Sequence, residues 1–134
     1  MIKAQLEGHL HTEDLLTVAD AADLDALLDR VAAAGPLQLA RLIVDGDPEK
    51  GLLTVGINMD RGFLRHYRAG EAVTYSHNPS PYPLPDYDEV IYYLDRAEEF
   101  APDDAEVPFA DVRRGAHEFL RSGGARPAGL KPEA

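Results

Sequence analysis

Five histidines are the residues of this sequence best suited to chemistry near neutral pH. His9 and His11 lie two apart, so on an extended strand both occupy one face, a spacing that can seat a metal. A metal site needs three or four ligands, and Glu7 is the only nearby third. His66 and His77 fall in or beside neighbouring predicted strands, with Tyr75, Ser76 and Asn78 close by. That grouping invites comparison with a hydrolase. Ser76, however, lacks the glycine-flanked elbow of a nucleophilic serine, and no acid is evidently placed to orient either histidine. Hydrogen bonding between strand and loop is the expected use of the cluster. His117, beside Glu118 on the outer side of the last predicted helix, is expected to be solvated. Glu98 and Glu99 point to opposite faces of an extended segment, so they form no acid/base pair. The loop Asp45-Gly46-Asp47 puts acids where a phosphate would have to sit. The chain has no cysteine, which excludes disulfides, thiolate catalysis and cysteine-based metal centres. The expectation is a protein with no catalytic residue, no metal and no cofactor.

The elements that carry these residues follow from hydropathy. Ile2 to Leu10 alternates apolar with polar residues and reads as a strand; Thr12-Glu13-Asp14 is a turn, and Leu15 to Val18 a second strand. Leu24, Leu27, Leu28 and Val31 form one helical stripe, with Asp20 as N-cap and Asp23 and Asp25 at the positive end of the dipole. Gly35-Pro36 ends that helix. Leu37 to Val44 is apolar on both faces in its last part, as a central strand would be. Leu52 to Met59 is a strand with Leu53, Val55, Ile57 and Met59 on one face. Asp60-Arg61-Gly62 is a tight turn, and Phe63 to Tyr67 and Ala72 to Ser76 continue an antiparallel meander. Prolines at 79, 81, 83 and 85 force an extended loop. Val90 to Leu94 is a strand with Tyr92 and Tyr93 on opposite faces, and Glu98-Glu99-Phe100 a short edge strand. The last helix runs from about Pro108 to Ser122, with Phe109, Val112, Ala116, Phe119 and Leu120 inward, and Gly123-Gly124 stops it. The fold class is α+β: a curved antiparallel β-sheet, largely a meander, with two main helices packed on one face. Residues 1–124 form a single domain, and 125–134 are expected to be a flexible tail.

A formal charge of −11 over 134 residues argues against nucleic acid or an anionic membrane as partner and favours a cationic one. The charge is unevenly placed. From Asp86 to Asp111 there are ten acids and a single base, Arg96. No apolar run approaches the ~20 residues that span a bilayer, and the first ten residues lack the solid apolar stretch of a secretory signal, so a cytoplasmic location is expected.

Several motifs, in order, resemble the deaminase-associated immunity proteins of bacterial polymorphic toxin systems, a family common in actinobacteria. They are Ala22-Asp23-Leu24-Asp25-Ala26-Leu27-Leu28-Asp29, Leu53 to Gly56, Asp60-Arg61-Gly62-Phe63-Leu64, Tyr75-Ser76-His77-Asn78-Pro79, and Glu106-Val107-Pro108 leading into Glu118-Phe119-Leu120. Together they cover about residues 15 to 125. The Pro-Tyr-Pro-Leu-Pro loop departs from the family pattern. The resemblance implies a protein that binds a cognate toxin domain, basic and acting as a deaminase or a nuclease, and covers its active-site cleft. It implies no catalytic constellation. For a deaminase that cleft is zinc-containing and flanked by bases that hold the substrate strand. The expected contact surface is the Asn78 to Glu89 loop with the acidic stretch after it. Tyr82 and Tyr87 serve as anchors, and Asp86, Asp88, Glu89, Glu98 and Glu99 meet basic groups. The alternatives are a generic acidic interaction domain, or a small hydrolase or metal protein using His66, His77 or the His9/His11 pair. Whether the chain pairs with itself through an edge strand is left open.

Overall fold

The computed structural model describes residues 1–6, 15–83, 89–94 and 97–133, and of Glu89 the backbone. The elements are β1 Ile2–Gln5, β2 Leu16–Val18, α1 Ala21–Ala33, β3 Gln38–Val44, β4 Leu52–Asn58, β5 Arg61–Tyr67, β6 Thr74–Tyr75, β7 Glu89–Leu94, β8 Ala97–Pro102, β9 Val107–Pro108, α2 Phe109–Ser122 and β10 Lys131–Pro132. The main sheet runs β10-β6-β5-β4-β3-β1-β2. The β3-β4-β5-β6 meander is antiparallel throughout, as is β1 against both β2 and β3.

Helix α1 begins where Asp20 Oδ1 accepts the Asp23 N–H at 2.9 Å and Asp23 Oδ2 accepts the Ala19 N–H at 2.9 Å, a reciprocal cap. Its stripe of Leu24, Leu27, Leu28 and Val31 is buried. Helix α2 buries Val112, Gly115, Ala116 and Phe119, with Phe109 and Leu120 partly covered at the margin of the same core. It ends as Gly123 turns to φ 74 and the Gly124 N–H reaches Phe119 O at 2.9 Å. Both helices lie on the sheet face formed by Ala40, Leu42, Leu53, Val55, Ile57 and Leu64.

The structure differs from the sequence reading in several places. Met59 does not extend the buried face of β4: with φ 60 and 75% exposure it is the first of two residues in the turn Met59-Asp60, and Arg61 already pairs with Asn58. A two-residue hairpin needs such a conformation at a central position, and here a non-glycine adopts it. The loop after β3 contains a 3-10 turn, Pro48–Lys50, capped by Asp47. The segment after Gly124, expected to be flexible, folds back. Leu130 is buried in the main core, Lys131–Pro132 pairs with β6, and the Ala128 N–H bonds Glu118 Oε2 at 2.8 Å. Buried Leu130 and Pro127, the short pairing with β6 and the bond to Glu118 seat it together.

The second face of the sheet is covered as well. Hairpin β7–β8 joins the sheet through one parallel step, Gln38↔Tyr93, and the Tyr93 N–H bonds Leu37 O at 2.8 Å. Its inner side adds a second core in which Tyr92, Leu94 and Ala101 pack on Leu39 and Phe63. The rings of Phe63 and Tyr92 meet edge to face, with centroids 4.8 Å apart. They meet directly over Gly56, where an added Cβ would clash with Phe63 Cδ1 and stand 2.9 Å from Tyr92 Cδ2. Two aromatic rings have little freedom to yield. Gly56→Ala is therefore expected to cost about 1–3 kcal/mol, the range for overpacking a filled core. Chemical denaturation would measure it, and an unchanged midpoint would show that the hairpin is not clamped at this point.

Candidate functional site

The residues that sequence singled out fall into three structural groups. The first is a clasp between the β6–loop junction and the segment before α2. Ser76 Oγ donates to Ala105 O at 2.6 Å and accepts the Leu64 N–H at 3.0 Å. His77 Nδ1 lies 2.9 Å from Asp104 Oδ2. Asn78 donates its backbone N–H to Asp104 O at 2.7 Å and its side-chain amide to Glu106 O at 3.0 Å, and its Oδ1 accepts the Ser80 N–H at 2.9 Å. Three consecutive residues thus grip three consecutive residues. Tyr75 sits beside them, pairing with Arg65 and Lys131, and exposed Pro79 leads the chain away.

What the clasp delivers is Glu106, a carboxylate only 3% exposed. Its Oε2 accepts the Tyr92 hydroxyl at 2.7 Å and the Asn58 amide at 3.2 Å, and lies 4.0 Å from Arg61 Nε. The Arg61 guanidinium sits 4.3 Å from the Tyr82 ring centroid, holding the start of the proline-rich loop to β5. The Asp60-Arg61-Gly62-Phe63 motif belongs to the same unit. Asp60 O accepts the Phe109 N–H at 2.8 Å, one of the orphan donors at the start of α2 that Pro108 precedes. Gly62 has no room for a Cβ because the Gly56 carbonyl occupies the place. Phe63 is the floor of the second core.

The second group surrounds Glu99. Register places Arg41, Thr54 and Arg65 in one row across β3, β4 and β5. Glu99 descends from β8 between the two arginines: its Oε1 is bonded by Arg41, and its Oε2 accepts from Arg65 at 2.7 Å. Arg65 also donates to Thr54 Oγ1 at 3.3 Å. The Glu99 side chain is 11% exposed, so it is turned inward to pin the hairpin, while Glu98 faces solvent. The opposite pointing expected of this pair is what the strand produces. Of the remaining proposed contact residues, Tyr82 is half-buried under Arg61. Asp86, Tyr87 and Asp88 lie outside the described residues, and Glu89 is described only as the first residue of β7.

The third group is the histidines. His66 is 1% exposed, its Nε2 donates to Gly124 O at 3.0 Å, and its ring meets Phe119 edge to face. An acceptor at that nitrogen fixes the Nε2–H tautomer, and the ring is consumed in holding the end of α2. His117 is not simply solvated: its Nε2 reaches Asp25 Oδ1 at 2.8 Å, and Arg113 reaches the same oxygen at 3.2 Å, joining α2 to α1. An acid does orient one member of the His66/His77 group, since Asp104 stands against His77. Asp104 was invisible to sequence reasoning because it lies 27 residues from its partner. Yet Ser76, the adjacent hydroxyl, is buried and spends its proton on Ala105 O. Among the described residues no group of three metal-ligating side chains gathers; Glu7, His9 and His11 lie outside them. Among the described residues no helix is long and apolar enough to cross a membrane.

The family model for Immunity protein Imm1 matches residues 12–134, which takes in every motif of the clasp. No curated protein matches the chain.

Burial, then the hydrogen bond to Glu106 and its negative charge, drive the Tyr92 hydroxyl far above the ordinary tyrosine value of 10.0. Its folded-state value is raised, so its contribution to stability is complete below pH 10 and is lost as pH climbs beyond that, where only the unfolded chain ionises. The slope from this one group is about 1.4 kcal/mol per pH unit. Tyr67, raised by its hydrogen bond to Glu49, should lag in the same direction. In an ultraviolet titration of the six tyrosines, the Tyr92 phenolate should appear only as the protein unfolds, and Tyr92→Phe should remove that component. Six phenolates forming near pH 10 with the fold intact would contradict the Tyr92–Glu106 contact.

Proposed function

The chain belongs to the Imm1 family of immunity proteins, and from that membership we propose that it neutralises a nucleic-acid deaminase toxin by covering the basic cleft that holds the toxin's substrate strand. Immunity against a toxin is the family's role and implies a protein–protein contact. The deaminase and the mode of blocking are our reading. The observation that carries it is the charge. At −11 the protein is poorly suited to touch a polyanion and well suited to replace one in a channel lined by arginine and lysine. Blocking of this kind needs no turnover. It agrees with a structure in which the Ser76 hydroxyl and the His66 ring are both committed to internal bonds.

The contact surface carried over from sequence is Tyr82, the acids from Asp86 to Glu89, and Glu98; of these, Tyr82 lies against Arg61 and Glu98 is on the outward face of hairpin β7–β8. Glu99 contributes indirectly, by pinning β8 to Arg41 and Arg65. A steered association of this kind has an on-rate that falls with ionic strength.

Co-expression with the toxin encoded by the neighbouring gene tests the reading. The expected result is rescue of growth, co-purification, and stoichiometric inhibition of base deamination on single-stranded substrate. A toxin that cleaves nucleic acid without deaminating it would replace the deaminase with a nuclease, and absence of a complex would overturn the reading altogether. Alanine at Tyr82 and Tyr87 with charge reversal at Asp86 and Asp88 should weaken binding at least ~tenfold, the scale of a few interface anchors. His77→Ala should still protect, and loss of protection without loss of fold would favour a catalytic histidine instead.

A further inference from the structure

We propose that the outward face of hairpin β7–β8, centred on Phe100 and flanked by Glu98, is the toxin-docking surface, and that the toxin meets it with an apolar depression rimmed by arginine or lysine. This rests on the immunity reading above and names the site through which it acts.

Register divides the hairpin into two faces. Tyr92 with Glu99 and Val90 with Ala101 face the sheet, whereas Ile91 with Phe100 and Tyr93 with Glu98 face away from it. The inward set is occupied by the second core and the two arginines. The outward set should then be polar, as on any strand with one solvated face. Instead, three of its four residues are apolar or aromatic. Phe100 is 51% exposed, the only aromatic among the large apolar residues that the described chain leaves in solvent. The others stand apart at the chain start, the sheet rim, a turn and a loop: Met1, Leu16, Met59 and Val73. An aromatic side chain with apolar neighbours on a shared face is the usual make-up of an interface centre.

The face is also preorganised. Beneath it Glu99 is held by Arg41 and Arg65, Tyr92 by Glu106, and the backbone of Tyr93 by Leu37. Binding therefore orders little that is not already ordered. Strand β8 pairs with β7 alone among the described strands, so nothing described covers its outer edge.

Charge decides what comes to sit there. Most acids of the described residues are engaged by caps, ion pairs or hydrogen bonds, Glu99 and Glu106 among them. Glu98, on this face, and Asp103, just after β8, are exposed, and no described side chain pairs with either carboxylate. They belong to the segment that carries ten acids against one base. A second copy of this chain would bring the same acids against them, and like charges opposed across an interface cost affinity. A basic partner gains from both parts of the surface, the ring of Phe100 and the carboxylates around it.

The test uses the full chain and, as probe, the catalytically inactive toxin domain encoded by the neighbouring gene. Binding is followed by calorimetry at two salt concentrations, with growth rescue as a second readout. Phe100→Ala should raise Kd at least ~tenfold and Phe100→Ala with Glu98→Lys at least ~hundredfold. The thermal midpoints should be little changed, because both side chains are exposed. Leu16→Ala, an exposed leucine on the helix side, should bind as the parent does. If the parent binds and rescues while Phe100→Ala stays within threefold of it, this surface is wrong and the immunity reading stands. If the free protein is a dimer that Phe100→Ala converts to monomer, the face belongs to a second copy and the proposal is overturned. If the parent neither binds nor rescues, both fall together.

Discussion

Tyr92 can lie flat in the trough of the sheet only because β4 offers no side chain at position 56, and it can stay there only because Glu106 receives its hydroxyl. The two conditions are coupled. Burying a tyrosine against Phe63 gains about 0.5–1.5 kcal/mol from the ring pair beyond its area. A buried phenol with no acceptor would cost about 1–3 kcal/mol and cancel that gain. Glu106 is itself a buried carboxylate, tolerable only with partners, and Tyr92, Asn58 and the nearby Arg61 are those partners. The clasp of Ser76, His77 and Asn78 on residues 104–106 brings that acid to the site. This contact joins the Glu99 ion pairs and the packing on Leu39 in holding β7 and β8 to the second face.

A three-layer protein follows: helices, sheet, hairpin. The row Arg41-Thr54-Arg65 extends the trough one step along from Leu39-Gly56-Phe63. Small residues of β4 form the bottom of each row and larger ones its walls. Hydrophobic contact fills one row and charge fills the next, with Glu99 paired on two sides and largely out of solvent. Inward acids on this hairpin are thus structural, and outward ones are free to meet something else. The division is made by strand parity alone, which is why Glu98 and Glu99, adjacent in sequence, have different uses.

Much of the first two layers was legible in the sequence. Helix stripes, caps and the meander follow from periodicities of 3.6 and 2, and the double-sided apolar pattern of Leu37 to Val44 announced a central strand. What covered the second face was not legible. Tyr92 and Phe63 lie 29 residues apart in the numbering, and no local pattern says that one rests on the other. Asp104 beside His77 and Asp25 beside His117 were hidden for the same reason, at separations of 27 and 92 residues. Met59 read as a strand residue because its apolar side chain kept the alternation, although turn geometry had already taken its backbone. Leu130 was discounted because glycine and proline surround it, yet one buried leucine stabilises by about 1.5–3 kcal/mol and acts here with the β6 pairing and the Glu118 bond to order the tail. Motif resemblance marked residues 60–63, 75–79 and 106–108 without explaining them. In the fold they form one contiguous support beneath the hairpin.

That support bears on how so acidic a protein stays folded. A net charge of −11 works against the compact state through self-repulsion, and the chain answers in part by committing several arginines internally. Arg41 and Arg65 serve Glu99, Arg61 lies near Glu106, and Arg113 and Arg114 serve the acids of α1 and α2. Glu98 and Asp103 have no described cation beside them, so cations from outside can relieve the repulsion they feel. On the reading proposed for this protein, the toxin provides that relief. Cations approaching Glu98 and Asp103 lower the energy of the folded inhibitor at the same time as they bind it, and by linkage the complex is harder to unfold than either part. The same unpaired acids that make the free protein costly to hold together then make the bound one costly to take apart.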